Sequence, residues 1–459
     1  MPATSLHRLP QLRVNWYDAF IYLPMIPTRR VYLLLLLGIA IAPLLATIWN
    51  VPRSILVMLL FDAVILGLTI ADSLMVRRHR VQVERSLPAR LSIGRDNSVV
   101  LTVRSLKKSA QIQICDYYPM QFAVSATTLT AALAPNSTTE LTYTIHPNQR
   151  GEFAWGDLQV RQLGAWGLGW DNWKISQSQK VKVYPDLVGL RSLSIRLTLQ
   201  SAGSIRKLRQ RGIGTEFAEL KDYGTGDDLR LIDWKATARR NRPLVRVLEP
   251  EHEQTLIILL DKGRLMTAQV SGLKRFDWGL NATLALALAG IHRGDRVGVG
   301  VFDKQMQTWI PPERGQNQLN QLIDRLTPIQ PVLLESDYIG AVTSIIKQQA
   351  RRALVVLITD IVDITASAEL LAALGRLTPR YLPFCVTLRD RQVDRLAHTS
   401  TNEVNPTYAR AVALDLLSQR QVAFAGLKQK GVLVLDAPAD LISEQLVERY
   451  LQLKARNQL

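Results

Sequence analysis

Hydrophobic patterning changes character three times along the 459 residues. Near the start, Val31 to Trp49 is 19 residues long and carries no charge, and after Asn50-Val51-Pro52-Arg53 comes Ser54 to Ala71, 18 residues with one charge. A bilayer core takes about 20 apolar residues per helix. The pattern therefore predicts a transmembrane helical hairpin, spans about 31–49 and 54–71, within an N-terminal segment 1–80. A cleavable signal peptide would begin nearer the N-terminus and would not be followed at once by a second apolar run.

From 81 to 200 the period shortens to two. Val81-Gln82-Val83, Ser98 to Val103, Ala110 to Ile114, Glu140 to Ile145, Asp157 to Arg161 and Lys180 to Tyr184 alternate apolar with polar positions. Turn residues stand between them, as in Gly94-Arg95-Asp96-Asn97, Pro135-Asn136 and Pro147-Asn148. Regularly spaced short strands predict a β-sandwich. Trp155, Trp166, Trp170 and Trp173 crowd together with Gly156, Gly164, Gly167 and Gly169. Aromatic core with glycine turns is the favoured explanation over a stacking platform, because aromatics dominate core burial.

From 254 to 459 continuous apolar strands interleave with helical patterns. The strands are Gln254 to Leu260, Arg296 to Phe302, Ala353 to Thr359, Tyr381 to Leu388 and Val432 to Leu435. The helices are Leu273 to His292, Ile339 to Ala350, Ala366 to Leu377, Tyr408 to Lys430 and Leu441 to Lys454. Val/Ile/Leu strands without alternation are buried on both faces, which predicts an open, mostly parallel α/β sheet of Rossmann-like type. Ligands in such sheets bind beyond the carboxyl ends of the strands. Two strands end there in acids, Leu259-Leu260-Asp261 and Ile358-Thr359-Asp360, a placement suited to a hard cation such as Mg²⁺.

Charge refines this division. The net charge is +17. The excess is +5 in 1–80, +5 in 81–200, +5 in the short stretch 201–248 and +2 in the remaining 211 residues. Arg29 and Arg30 precede the first span; Arg77, Arg78, His79 and Arg80 follow the second; the connecting turn holds only Arg53. The positive-inside rule then puts both termini and the large domains in the cytoplasm, a two-pass protein of the inner membrane. Trp16, Tyr17, Phe20 and Tyr22 suit an interfacial belt, and the basic flanks suit anionic lipid heads. Asp62 lies mid-span, where a carboxylate is costly; it suits a contact for a membrane protein partner or a proton carrier, the alternative being a protonated or locally hydrogen-bonded acid without a role. The only cysteines, Cys115 and Cys385, exclude a disulfide framework and a Cys-rich zinc site.

The segment 201–253 is the densest chemically. Acids alternate with bases from Lys221 through Arg240, and glycines 212, 214, 224 and 226 allow tight turns. This predicts a folded loop with a polar network that braces the next domain or presents a contact surface, with Ile232 and Trp234 as apolar anchors. A metal-dependent hydrolase or nuclease on Asp228, Asp233 and Lys235 is the enzymatic alternative. Against catalysis, the sequence has no Gly-x-x-x-x-Gly-Lys-Ser/Thr phosphate loop, no His-Glu-x-x-His and no Gly-x-Ser-x-Gly, and its six histidines are scattered.

Gly214-Thr-Glu216-Phe217, then Tyr223-x-x-Gly226-Asp227-Asp228-x-Arg230-x-Ile232-Asp233-Trp234-Lys235-Ala-Thr-Ala-Arg239, then Gly294-Asp-Arg-Val-Gly298 carry a resemblance. The chain resembles the membrane-anchored bacterial family catalogued as domain of unknown function 58. The resemblance implies a von Willebrand A-like C-terminal domain and association with MoxR-type AAA+ ATPases in protein maturation or assembly. Such domains often bind a divalent ion through Asp-x-Ser-x-Ser, a later threonine and a later aspartate. Here the first element reads Asp261-Lys-Gly263-Arg-Leu265, so both hydroxyls are missing; Ser336 is assigned to the threonine and Asp360 to the later aspartate. Metal affinity is expected to fall, and no cofactor is expected, with Mg²⁺ the one ion the acids suit.

The sequence thus leads to a non-catalytic membrane-tethered adaptor that binds a cytosolic partner, by resemblance a MoxR-type AAA+ ATPase. Asp261, Ser336 and Asp360 mark the expected docking face. The alternative is a binder of anionic lipid or nucleic acid through the basic excess, recognisable by steep salt dependence.

Overall fold

The computed structural model describes residues 24–48, 51–208, 216–249, 254–349, 351–361, 367–398 and 404–456. Its contacts divide the chain into two compact units, Met1–Leu91 with Asp96–Pro147 and Glu152–Lys182, and Ser92–Arg95 with Asn148–Gly151 and Val183–Leu459.

In the first unit a short strand β1 (Met25–Pro27) leads into helices α1 (Arg29–Ile48) and α2 (Val51–Arg77). The helix α2 is long and apolar enough to cross a membrane, with a mean hydropathy of 2.4 over its most apolar stretch. It continues six residues past the apolar run that ends at Ala71; Ser54, Ile65, Thr69, Asp72, Ser73 and Val76 are buried while Leu56, Leu60 and Val64 are bare.

Eleven strands follow: β2 (Gln82–Ser86), β3 (Leu91–Ser92), β4 (Asn97–Arg104), β5 (Ala110–Asp116), β6 (Phe122–Val124), β7 (Leu129–Leu133), β8 (Thr138–Pro147), β9 (Gly151–Trp155), β10 (Leu158–Leu163), β11 (Gly169–Ile175) and β12 (Gln179–Tyr184). They form a five-stranded sheet in the order β1-β11-β10-β5-β7, a four-stranded sheet β2-β4-β8-β6 and a small sheet β3-β12-β9. Alternation is clean in β4 and β5, where every second side chain is buried, as two-sheet packing requires. The sheets meet around the buried Asp116, which accepts from Arg85 Nη1 at 2.7 Å, Tyr143 Oη at 2.7 Å and Trp155 Nε1 at 2.9 Å. A carboxylate is tolerable there because charge-assisted donors satisfy it.

The main stretch of the second unit starts at Val183, and its first helix is α3 (Leu187–Leu208), which crosses the 200/201 boundary expected between sandwich and charged segment. The charged segment is a hairpin of β13 (Glu216–Asp222) and β14 (Leu244–Glu249), with a one-turn 3₁₀ helix at Leu229–Leu231 and helix α4 (Trp234–Arg240) in its loop. Then come β15 (Thr255–Asp261), β16 (Gln269–Val270), β17 (Leu273–Lys274), α5 (Arg275–His292), β18 (Arg296–Phe302), β19 (Met306–Glu313), α6 (Gln316–Leu326), α7 (Tyr338–Gln348), β20 (Leu354–Thr359), α8 (Ala368–Gly375), β21 (Leu382–Arg389), α9 (Arg391–His398), α10 (Val404–Gln429), β22 (Leu433–Pro438) and α11 (Ile442–Ala455).

Six of these strands form one sheet in the order β19-β18-β15-β20-β21-β22, parallel except for the edge strand β19. Alternate residues of each strand feed opposite faces. Leu256, Ile258 and Leu260 pack with α3, α5, α6 and α11, whereas Ile257 and Leu259 pack with α7, α8 and α10. The strand order reverses between β15 and β20, so the crevice at their carboxyl ends is a topological switch point, the place where open α/β sheets put ligands. Asp261 ends one of these two strands and Asp360 follows the other.

Candidate functional site

At the switch point both acids are buried, Asp261 at 1% and Asp360 at 2% exposure. Asp261 Oδ1 accepts from the Gly263 amide at 2.8 Å and from Ser336 Oγ at 2.5 Å. Its Oδ2 accepts from Thr359 Oγ1 at 2.6 Å and Tyr338 Oη at 3.0 Å. Burial pushes the carboxyl above its ordinary range, and the hydroxyl and amide donors pull part of that back. The same burial beside Asp261 drives the Tyr338 phenol well above its usual value, so it stays a donor.

Asp360 is held by cations of the chain itself. Arg420 Nη1, from α10, lies 2.7 Å from Oδ1; Arg275 Nη1, from α5, lies 2.8 Å from Oδ2; and the Ile361 amide gives a third contact at 2.9 Å. The other arm of Arg420 reaches Asp436 at 2.8 Å, and Arg420 also donates to the Ile361 carbonyl. A guanidinium fork satisfies two carboxylates in one plane. These contacts occupy both oxygens of each acid, so a divalent ion would have to displace arginine or hydroxyl partners. Among the described residues no group of three or more His, Cys, Asp or Glu side chains is arranged to hold a metal.

The structure brings Ser336 onto Asp261, and it buries both Asp261 and Asp360, the acids expected on a docking face. Above them the strand-end face exposes Leu333 (77%) and Leu334, with an Arg264–Glu335 ion pair at 2.6 Å. Beside Asp360 opens a cleft of about 230 Å³ lined by Arg275, Arg389, Arg420, Val393, Leu416 and Leu417. Thr359, Tyr338, Arg275, Arg420 and Asp436 were missed. Thr359, immediately before Asp360 at a strand end, was the one with a readable signal; Arg420 lies 60 residues from its partner and had none.

The charged hairpin is the second candidate, and here the aspartates are structural. Asp228 caps the 3₁₀ turn through the Arg230 amide at 2.9 Å, and Asp233 caps α4 through the Ala236 amide at 3.0 Å. Asp227 receives the Gly224 amide at 2.9 Å and Lys221 Nζ at 2.6 Å, and Arg246 lies 2.9 Å from Asp233. The Lys221 ammonium first, then the Gly224 amide, holds Asp227 below the ordinary carboxylate range; for Asp233 the Ala236 amide leads and Arg246 adds to it. Gly226 takes φ +112°, where a side chain is strained. Asp228 and Asp233 therefore spend oxygens on local capping rather than facing each other across an ion. Outward the hairpin exposes Trp234 at 71% and Leu229 at 64%, the bases Arg230, Lys235, Arg239 and Arg240, and the acids Glu219, Asp222 and Asp228. Tyr223 is exposed as well. Glu216 and Phe217 lie in β13, and Gly214 lies outside the described residues.

In the helical pair, Asp62 faces α1: a Cβ on Gly38 would fall 2.9 Å from its Oδ1, which is buried and has no hydrogen-bond partner among the described residues. Trp16, Tyr17, Phe20 and Tyr22 lie outside the described residues. Of the four clustered tryptophans, Trp155 is core at 1% exposure, while Trp166 is 49% exposed.

Comparison with known proteins agrees with the family resemblance over part of the chain. Residues 219–422 match the model of a family described as protein of unknown function DUF58. Uncharacterized proteins of Mycobacterium bovis and Mycobacterium tuberculosis are 24% identical over 151 residues, 32% of this chain and 48% of theirs. The chain thus spans about half the length of the curated relatives it matches. Among solved structures, Escherichia coli alpha-2-macroglobulin is 17% identical over 23% of this chain and 17% of its own, with a TM-score of 0.20. A CARDB domain from Pyrococcus furiosus is 15% identical over 23% of this chain and 93% of its own, with a TM-score of 0.15.

Proposed function

We propose that the protein is a non-catalytic, membrane-tethered adaptor. In this reading α1 and α2 form a two-pass anchor in the inner membrane, and both ends of the chain and its folded units are cytoplasmic. The second unit is a von Willebrand A-like domain, and its charged hairpin docks a cytosolic partner, a MoxR-type AAA+ ATPase by the family resemblance.

The observation that carries the reading is Trp234, a large aromatic left 71% exposed on a helix whose first turn is fixed by the Asp233 cap. Exposed aromatics among arginines are what binding hot spots are made of. A hairpin braced by the Lys221–Asp227, Arg242–Asp222 and Arg246–Asp233 pairs loses little further freedom on docking. The switch point supports the same reading, since its acids are consumed by Ser336, Thr359, Tyr338, Arg275 and Arg420.

Affinity purification of the tagged full-length protein from native membranes in mild detergent, with and without ATP, tests this. Enrichment of an AAA+ ATPase that changes with nucleotide is the expected result. Recovery of no ATPase despite its detectable expression would overturn the assignment. Binding that instead collapses steeply with salt to nucleic acid or anionic lipid would move the function to the basic surface.

A further inference from the structure

The turn between β10 and β11 ties into the apolar helices in a way the proposed anchor alone does not require. Asp72, the first residue of α2 beyond its apolar run, is fully buried. Its carboxylate accepts from the backbone amides of Trp166 at 3.0 Å, Leu168 at 3.0 Å and Gly169 at 3.4 Å. From the residue just before α1, the Thr28 amide donates to the Leu168 carbonyl at 2.9 Å and Thr28 Oγ1 to the Gly167 carbonyl at 2.9 Å. Three glycines let the turn fit. A Cβ on Gly164 would meet Asp72 Oδ2 at 2.1 Å, one on Gly169 would meet the Thr69 carbonyl at 3.2 Å, and Gly167 has φ +70°.

These contacts fix the height of the turn along α2. If Ala71 closes the hydrocarbon span, the backbone of Trp166 sits at its edge, within one hydrogen bond of residue 72. Its side chain is 49% exposed there; Ile70 and Leu74 of the helix are exposed too, as are Arg29, Arg30, Arg77 and Arg78 at the same helix ends, and Arg30 lies against Gly167 of the turn. An exposed indole at the level of the boundary between acyl chains and headgroups, with arginines at the same helix ends, is the composition of a membrane-interface belt.

We propose that the β10–β11 turn is a lipid-contacting element: Trp166 seats in the headgroup layer of an anionic bilayer, and the sandwich is held against the membrane surface rather than swinging on a linker. This rests on reading α1 and α2 as membrane spans. Register gives an internal control. Leu158 of β10 pairs with Asp116 of β5, and Gln162 pairs with Ile112. The loop after Asp116, with Met120 78% exposed, therefore lies at the opposite end of the sheet from the turn, about 20 Å away at ~3.3 Å per residue.

The test uses the full chain with Cys115→Ser and Cys385→Ala, carrying a nitroxide through Trp166→Cys or Met120→Cys. It is reconstituted in vesicles of phosphatidylcholine and phosphatidylglycerol. Electron paramagnetic resonance power saturation should show the label at 166 more accessible to oxygen than to a water-soluble nickel chelate, and the label at 120 the reverse. Equal, aqueous behaviour at both positions, in a chain that stays with the membrane through carbonate extraction, would overturn the proposal while leaving the anchor standing. Release by carbonate would remove the anchor, and the proposal with it. A measurement without cysteine changes guards against misfolding. Vesicles with shallow-brominated lipid should quench tryptophan emission less in Trp166→Tyr than in the parent chain, and equal quenching would contradict the proposal.

Discussion

Arg420 shows what a single residue does at the switch point. It is 4% exposed, and its two arms hold Asp360 and Asp436. Removing one partner from a buried ion pair costs about 3–5 kcal/mol, because the acids left behind stay desolvated. Arg275 still pairs with Asp360, so Arg420→Met should cost about 3 kcal/mol, the low end of that range. Denaturant unfolding of the full chain in micelles measures this, with Arg420→Lys expected in between because it keeps the charge but loses the fork. Unchanged stability in both variants would show that the cluster is not what holds β20, β22 and α10 together. At this scale the sequence was only partly readable. A strand-end acid such as Asp360 announces itself by following Ile358-Thr359, but nothing in the order of residues says whether its counter-charge will be a metal or a guanidinium arriving from a distant helix.

Elements were more legible where burial is two-sided and less so where it is local. Continuous apolar runs located β15, β18, β20, β21 and β22 because the strands are covered on both faces by helices. The edge strand β19, Met306–Glu313, contains Pro311 and Pro312 and escaped notice, since edge strands tolerate residues that central strands exclude. Strands β9 and β11 hid among the tryptophans and glycines, whose spacing suggested turns. The join between α2 and the β10–β11 turn depends on close approach. Gly164→Ala should push the Asp72 carboxylate off its amide donors, each charge-assisted bond being worth about 1.5–3 kcal/mol. Limited proteolysis in detergent should then cut near Trp166 faster than in the parent. Gly67→Ala, with nothing within 4 Å of its Cβ, should change nothing; equal protection in both variants would contradict the tight join.

On the scale of the whole molecule there are two compact units: one joins an apolar helix pair to packed β-sheets through Asp72, and the other is an α/β unit that carries the charged hairpin. Composition shows a basic excess, and the structure places exposed bases both at the helix ends, Arg29, Arg30, Arg77 and Arg78, and around Trp234. The hydrophobic period changes near 80/81 and 253/254, whereas the main division between the compact units falls at Lys182/Val183. The 200/201 boundary falls inside α3, because a helix that starts in one pattern and ends in another leaves no period to detect. The central claim is that the hairpin docks an AAA+ partner. Its most direct measurement is the affinity of a purified MoxR-type ATPase for the full-length protein in detergent, wild type against Trp234→Ala. A hot-spot aromatic is worth about 2 kcal/mol or more, so the account predicts at least a ~30-fold loss of affinity with the fold unchanged. Equal affinity for both forms, or no binding by the wild type, would contradict it.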